Sequence, residues 1–202
     1  RALPAALQAG LTPEQTVDII KKTIEASGEY SFDALESALP AALQAGLTPE
    51  QTVDIIKKTI KASGEYSFDA LESALPAALQ AGLNPEQTVD IIKKTIKASG
   101  EHSFSALGSA LPAALRATSK AKLTPEQTVD IIKKTIEASG EYSFDALESA
   151  LPAALQAGLN PEQTVDIIKK TIKASGEYSF DALESALPAA LRATSKAKLT
   201  PE

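Results

Sequence analysis

The chain has 202 residues, a formal net charge of −6 at neutral pH and a hydrophobic fraction of 44%. It contains no Cys, Met or Trp and only 4% aromatic residues, which excludes disulfides and thiolate chemistry and leaves Leu, Ile, Val and Ala to build the core. The hydrophobic fraction is too high for a disordered chain. No apolar run has the length of a bilayer span and the N-terminus shows no secretory pattern, so we expect no membrane partner.

A unit of 36 or 40 residues recurs along the chain with few changes. A partial repeat at 1–10 comes first, and residues 199–202 begin another repeat after five complete ones. The complete repeats span 11–46, 47–82, 83–122, 123–158 and 159–198. A fixed period of this size is typical of architectures in which each unit buries its apolar face only against its neighbours. We therefore predict a single repeat array over residues 1–202, and we expect it to be a segment of a longer one.

Each repeat begins with the signature of a helix N-terminus. In the first complete repeat Thr12 is the expected N-cap, Pro13 the first helical residue and Gln15 its partner in a capping box. Asn replaces the threonine at positions 84 and 160 and keeps a side-chain oxygen at the cap. Gly28 is placed to end this first helix. The apolar stripe predicted between the two ends consists of Val17, Ile19, Ile20 and Ile24.

A second helix is predicted from Ser31 as N-cap, with Asp33 in its first turn, where the helix dipole favours an anion. Tyr30 and Leu35 have the spacing of a hydrophobic staple. Pro40 lies inside this helix, where it removes one backbone hydrogen bond and is expected to kink the axis. The same proline recurs as Pro76, Pro112, Pro152 and Pro188. These features predict an all-α fold, namely an α-solenoid or superhelix of tandem two-helix repeats with a proline-kinked second helix.

Two repeats end differently from the others. After Leu115 and Leu191 the ending QAG is replaced by RATSKAK, which adds four residues and removes the glycine. Either the second helix runs on by about a turn or the connecting loop lengthens. The basic residues of these two segments are Arg116, Lys120, Lys122, Arg192, Lys196 and Lys198.

Net charge differs from repeat to repeat. The five complete repeats carry −4, −2, +3, −4 and +1, so basic repeats lie among acidic ones. Pairing of unlike segments would allow copies of the chain to associate laterally. The alternative is a solvated surface whose charges do little.

Each first helix also contains a pair of adjacent lysines. A row of such pairs could neutralise phosphates of a nucleic acid, with an affinity that falls steeply with salt. The net charge of −6 and the acidic residues nearby argue instead for ordinary solvated side chains. The pairs are Lys21 and Lys22, Lys57 and Lys58, Lys93 and Lys94, Lys133 and Lys134, and Lys169 and Lys170.

An aromatic residue precedes each second helix, and a Phe follows it two positions later. This series could grip a partner chain or a ligand, or it could close the inter-helix loop over the core. His102 is the only histidine of the chain and has no converging partners, so we predict neither a metal site nor a general base there. The series consists of Tyr30, Tyr66, His102, Tyr142 and Tyr178.

The motifs LTPEQ at the start of the unit, ALE at 34–36, LP at 39–40 and QAG at 44–46 follow one another in every 36-residue repeat, with small changes. In this order they resemble the repeats of transcription activator-like effectors. The resemblance implies two-helix repeats with a proline-kinked second helix, wound into a superhelix that binds DNA. That family reads bases through a dipeptide followed by two glycines between the helices. Here the corresponding stretch is KKTIEASGEYSF, so no base-contacting residue is transferred.

No arrangement in the chain predicts catalysis, a cofactor or a bound metal. There is no thiol, glycine-rich phosphate loop or metalloprotease motif, and paired carboxylates such as Asp33 and Glu36 recur in most repeats, as surface helix residues do. We therefore expect a non-catalytic structural or scaffolding protein that associates with itself, end to end or laterally. The alternatives are a scaffold that binds another protein and, less favoured, a nucleic-acid-binding superhelix.

Overall fold

The computed structural model describes residues 1–197, and these residues form helices and short connections with no strand among them. Each complete repeat folds into two helical segments, which confirms the predicted all-α class of tandem helical repeats. The chain divides into two compact units, Arg1–Lys93 and Lys94–Glu202. Lys198 and the start of the next repeat at 199–202 lie outside the described residues. Within the described part, no helix is long and apolar enough to cross a membrane.

The first helix of each repeat begins and ends where the local sequence predicts. Thr12 Oγ1 accepts a hydrogen bond from the Gln15 N–H at 3.2 Å, and Gln15 Oε1 accepts one from the Thr12 N–H at 3.0 Å. Gly28 ends the helix with a φ of 54°, which suits a residue without a Cβ. A short helix, Ala2–Gln8, precedes these elements. The five first helices are Pro13–Ser27, Pro49–Ser63, Pro85–Ser99, Pro125–Ser139 and Pro161–Ser175.

The second helix is composite. In the first repeat a 3-10 turn, Gly28–Tyr30, leads into one α-helical turn at Ser31–Asp33, a π-helical turn at Ala34–Ala38 and an α-helix at Leu39–Gln44. Equivalent 3-10 turns lie at Gly64–Tyr66, Gly100–His102, Gly140–Tyr142 and Gly176–Tyr178. The short α-turns are Ser67–Asp69, Ser103–Ser105, Ser143–Asp145 and Ser179–Asp181. The π-turns are Ala70–Ala74, Ala106–Ala110, Ala146–Ala150 and Ala182–Ala186. The final α-helices are Leu75–Gln80, Leu111–Lys120, Leu151–Gln156 and Leu187–Lys196.

The π-turn explains how the helix accommodates its internal proline. Pro40 has no N–H to donate to the carbonyl of Glu36, and in a regular helix its ring would clash with that carbonyl. The Leu39 N–H instead donates to the Ala34 carbonyl, five residues back, which widens the turn just before the proline. The predicted disturbance of the second helix is therefore present in every repeat as a π-turn.

Ser31 is not the N-cap that the sequence predicts. It lies inside the short α-turn, and the preceding Tyr30 makes no side-chain cap. Its hydroxyl donates to the Gly28 carbonyl, and in the third repeat Ser103 donates to the Gly100 carbonyl at 2.6 Å. The serine thus satisfies carbonyls at the end of the first helix rather than N–H groups at the start of the second.

The buried side of the first helix also differs from the predicted stripe. In the first repeat the fully enclosed positions are Thr16, Ile19, Thr23 and Ser27, whereas Val17 and Ile24 are exposed. In the second repeat Val53 packs against a cluster that includes Ile19 and Leu39 of the first repeat. The valine position therefore serves contacts between repeats, and a first helix buries it only where a preceding repeat covers it.

The four extra residues of RATSKAK lengthen the second helix by one turn. The final helix runs Leu111–Lys120 in the third repeat, against Leu39–Gln44 in the first. The closing hydrogen bonds are the same: Leu123 N–H to Thr118 O at 3.1 Å corresponds to Leu47 N–H to Ala42 O at 3.0 Å. This resolves the two alternatives in favour of a longer helix.

Candidate functional site

The basic residues of the lengthened helices are solvent-exposed. Arg116 and Lys120 lie four residues apart on the same side of their helix, and both are exposed. Among the residues that the structure describes, neither forms an ion pair. Lys122 is exposed in the turn that follows. Their positive charges are therefore not engaged in an ion pair and are accessible to a partner.

The corresponding residues of the fifth repeat follow the same pattern. Arg192 and Lys196 are exposed on the helix Leu187–Lys196, and no ion pair involves either of them within residues 1–197. The candidate residue Lys198 lies outside the described residues. The arginine and the first lysine of both RATSKAK segments are thus exposed and form no ion pair.

The lysine pairs of the first helices, in contrast to the basic residues of the lengthened helices, include lysines that form ion pairs. The second lysine of four pairs forms an ion pair with the Asp four residues before it, and the N–O distances are 2.8 to 2.9 Å. The hydrogen bond and the charge of Asp18 raise the pKa of Lys22 above its usual value. These pairs are exposed, so they stabilise the helix only weakly, but each one neutralises a lysine. The pairs are Lys22 with Asp18, Lys58 with Asp54, Lys134 with Asp130 and Lys170 with Asp166.

The first lysines of the pairs are mostly exposed. Lys21, Lys57, Lys93 and Lys169 are solvent-exposed and Lys133 is half-buried, as is Lys94, the second lysine of its pair. Because four of the second lysines are paired with an Asp, the row of lysine pairs presents much less positive charge than the sequence suggests. A phosphate backbone would find fewer available cations there than in a typical nucleic-acid interface.

Carboxylates that the sequence predicts to be surface residues are buried in three repeats. Asp33, Asp69 and Asp145 are almost fully enclosed at the start of their second helices. Burial raises the pKa of all three, and for Asp145 it does so to about 6. The sequence offered no signal for this burial, because an acid in the first turn of a helix is ordinarily solvated and favoured by the helix dipole.

Asp145 has the most perturbed surroundings of the three. After burial, the largest cause of its raised pKa is the negative charge of Glu184 in the next repeat, followed by that of Glu148. The Asp145 backbone N–H and the charge of His102 act in the opposite direction. His102 therefore has an electrostatic partner in the adjacent repeat, which the sequence did not reveal, and its Nε2 lies 3.7 Å from Glu101 Oε1. No group of three or more potential metal ligands forms within the described residues.

The first member of the aromatic series, Tyr30, makes a contact between repeats. The Tyr30 hydroxyl lies 3.5 Å from the Gly64 carbonyl of the next repeat and donates to it. Tyr30 packs against the apolar cluster around Ile55 and Leu71, whereas Leu35 packs against a different cluster around Ile19. The predicted staple between Tyr30 and Leu35 thus gives way to a contact between repeats.

The phenylalanines that follow the tyrosines are left uncovered. Four of the five have side chains that are 45% to 74% exposed, and they include Phe68 and Phe104, which are flanked by repeats on both sides. Stacking of one repeat on the next therefore leaves this position largely uncovered in four of the five repeats, and Phe144 is half-buried. The four are Phe32, Phe68, Phe104 and Phe180.

The outermost helices expose residues that the inner repeats bury. Leu3 and Leu7 are 59% and 68% exposed, whereas their equivalents Leu39 and Leu43 are 0% and 5% exposed. In the last repeat Tyr178 is 67% exposed, whereas Tyr30 is only partly exposed. The same holds for alanines of the last second helix: Ala186 and Ala190 are exposed, and Ala38 and Ala42 are buried.

The chain matches no protein-family model, no curated protein and no solved structure. The resemblance to transcription activator-like effectors therefore stays a prediction. Function must be inferred from the surfaces described above.

Proposed function

We propose that this chain is a non-catalytic structural repeat protein that associates with itself by stacking its outer repeats end to end. The observation that carries the proposal is the exposure of Leu3 and Leu7, whose equivalents Leu39 and Leu43 are buried. The same face of the repeat unit is thus covered inside the array and uncovered at its first helix. An apolar face is stable in water only when something packs against it, so either a further repeat of a longer chain or a second copy covers this one.

The last repeat offers a face of the matching kind. Tyr178, Ala186 and Ala190 are exposed there, whereas the same positions of inner repeats pack against the repeat that follows. Because the repeats are nearly identical in sequence, a second copy already has the residues that normally cover this face. End-to-end contact between copies would therefore use the same residues as contact between repeats.

Energetics predict a concentration-dependent assembly. Burying one large apolar side chain is worth about 1.5–3 kcal/mol, and a few such residues are available on each face. Association itself costs about 4–15 kcal/mol in lost freedom of motion. The net affinity is therefore modest for one interface, and assembly is expected to grow with protein concentration.

Negative-stain electron microscopy and sedimentation velocity over a concentration series test the proposal. The wild-type chain is expected to form rods or filaments that lengthen with concentration. Tyr178→Glu combined with Ala190→Glu places charge on the exposed face of the last repeat and should leave single chains. Phe180→Glu is the matched control, because the Phe position is exposed in inner repeats too and lies outside the stacking contact. Single chains at every concentration for the wild type would overturn the proposal.

A second candidate, a scaffold that binds another protein, is favoured by the exposed phenylalanines. An uncovered Phe in inner repeats is a suitable anchor for a partner, because large aromatic side chains dominate binding energy at interfaces. Selection of displayed peptides on the wild-type chain tests it, with Phe32, Phe68, Phe104 and Phe180 all changed to Ser as the counter-target. Peptides that bind only the wild type would support this candidate, and equal enrichment on both would contradict it.

A further inference from the structure

The second helix of the third repeat has the opposite charge to its counterparts in the first, second and fourth repeats. Residues 103–122 contain three basic and no acidic residues, whereas residues 31–46 and 67–82 each contain two acidic and no basic ones. Ser105 and Gly108 replace the two acids, and Arg116, Lys120 and Lys122 supply the cations. The losses and the gains act in the same direction on one helix, which makes it the most cationic second helix of the chain.

The cations of this helix surface are accessible to solvent and form no ion pair within the described residues. Arg116 and Lys120 line an open cleft that also includes Pro152 and Gln156 of the next repeat. Glu148 is the one carboxylate lining this cleft, and it accepts a hydrogen bond from the Ser109 hydroxyl. Neither Arg116 nor Lys120 has an ion pair in the described part of the chain, in contrast to Lys134 on the neighbouring first helix. Two cations four residues apart therefore face solvent together.

An acidic cleft, also lined by residues of second helices, lies in the first unit. Glu36 and Glu72 line a cleft between the second helices of consecutive repeats, together with Gln44 and Gln80. Arg1 lines the cleft as well, but it forms no ion pair within the described residues. Two buried carboxylates, Asp33 and Asp69, lie beside the two glutamates, and the pKa of each is raised by burial and by its glutamate neighbour. Glu36 and Glu72 are thus the two carboxylates of this cleft, and neither forms an ion pair within the described residues.

We propose that these two surfaces are partners, and that the Arg116 and Lys120 face of one chain binds the Glu36 and Glu72 cleft of a second copy. The inference rests on the proposed self-association and identifies its lateral mode. Copies with a net charge of −6 repel one another at most orientations, so the cationic helix is where a second copy can approach. Each chain has both surfaces, so no other partner is needed to satisfy them.

The contact is expected to depend strongly on salt. All four side chains are at least partly exposed, and ions at about 0.15 M screen such charges beyond about 8 Å. Lateral association should therefore be strongest near 20 mM salt and should weaken by about tenfold or more by 500 mM. Apolar end-to-end stacking should not weaken in this way, because salt screens charges and leaves the burial of apolar surface intact.

A charge-swap experiment on the full chain tests the pairing by sedimentation equilibrium at low salt. Arg116→Glu with Lys120→Glu is the first variant, and Glu36→Lys with Glu72→Lys is the second. Each variant alone is expected to lose lateral association by about tenfold or more, because attraction becomes repulsion. An equimolar mixture should recover it, since the unchanged surface of each variant then meets an opposite charge on the other.

Lys169→Glu with Lys173→Glu is the matched control. It produces the same change in net charge on an exposed first helix and should leave association as it is in the wild type. An equal loss in this control, or no recovery in the mixture, would overturn the pairing while leaving end-to-end stacking in place. A wild-type chain that stays monomeric under all conditions would overturn both proposals, so the two failures are distinguishable.

Discussion

Glu184 places its negative charge near the buried carboxyl of Asp145 in the preceding repeat. Burial is the larger effect, and the two effects together raise the pKa of Asp145 to about 6. Asp33 and Asp69 have the same position in their repeats, and burial raises their pKa values as well. The contact between second helices thus contains acids that the folded state prefers in their protonated form.

The first prediction is that acid stabilises the fold. The pKa of an unfolded Asp is about 3.9, so the folded chain binds more protons than the unfolded one between about pH 4 and 6. The contribution of Asp145 to the free energy of unfolding is therefore fully present below about pH 4 and is lost as the pH rises through 6. Thermal unfolding followed by circular dichroism should give a higher Tm at pH 5 than at pH 7. An equal or higher Tm at pH 7 would contradict this.

The second prediction concerns Asp145 itself. Asp145→Asn removes the buried charge and should raise the free energy of unfolding at pH 7 by about 1–2 kcal/mol. It should also reduce the difference in stability between pH 5 and pH 7. Asp181→Asn is the control, because the same position of the last repeat is exposed and its change should stay within about 0.5 kcal/mol. Urea unfolding at both pH values measures these effects, and equal behaviour of the two variants would sink the explanation.

The third prediction follows from the end of the lengthened helix. Lys122 has a φ of 57° and is the only non-glycine residue with a positive φ in the described chain, at the position where Gly46 has a φ of 81°. A Cβ in this conformation costs about 1 kcal/mol. Lys122→Gly should therefore stabilise the protein by about 0.5–1 kcal/mol in chemical denaturation. Ala117→Gly, inside the helix, should destabilise it by about 1 kcal/mol, and a destabilised Lys122→Gly would contradict the prediction.

The fourth prediction tests the capping box. Thr124 Oγ1 accepts from the Gln127 N–H at 3.1 Å, and Asn160 Oδ1 accepts from the Gln163 N–H at 2.8 Å in the next repeat. Thr124→Ala should cost about 1 kcal/mol of stability, because the N–H loses its partner. Thr124→Asn should be nearly neutral, because the fold already uses that side chain for the same purpose. Equal losses in the two variants would mean that the hydroxyl stabilises the helix by another route.

The features that sequence analysis predicted correctly are local ones. The capping pair of Thr12 and Gln15 and the glycine end at Gly28 depend on residues at most a few positions apart, so their geometry follows from the chain itself. Ser31 shows the limit of such patterns. A serine before a helix suggests an N-cap, but the close approach of the first helix offers its hydroxyl the carbonyls of Ile24 and Gly28 instead.

The candidate sites also combine features that local sequence spacing predicts with features that only the structure shows. The basic residues Arg116 and Lys120 were identified from composition, but only the structure shows that they lack ion pairs while Lys22 and its equivalents have them. The i, i+4 spacing of Asp18 and Lys22 made their pairing predictable. The burial of Asp33 was not predictable, because it depends on how the neighbouring helix covers the start of the second helix.

The sequence by itself determined the repeat boundaries, the helical class, and the start and end of each first helix, because these depend on short-range hydrogen bonds and on a repeated apolar pattern. Tertiary structure alone decided which side of the first helix is enclosed, whether RATSKAK extends a helix or a loop, and which charges are buried or paired. The physical reason is that burial and charge compensation are set by contacts between helices. Val53, for example, acquires its apolar environment only when the second repeat packs on Ile19 and Leu39 of the first.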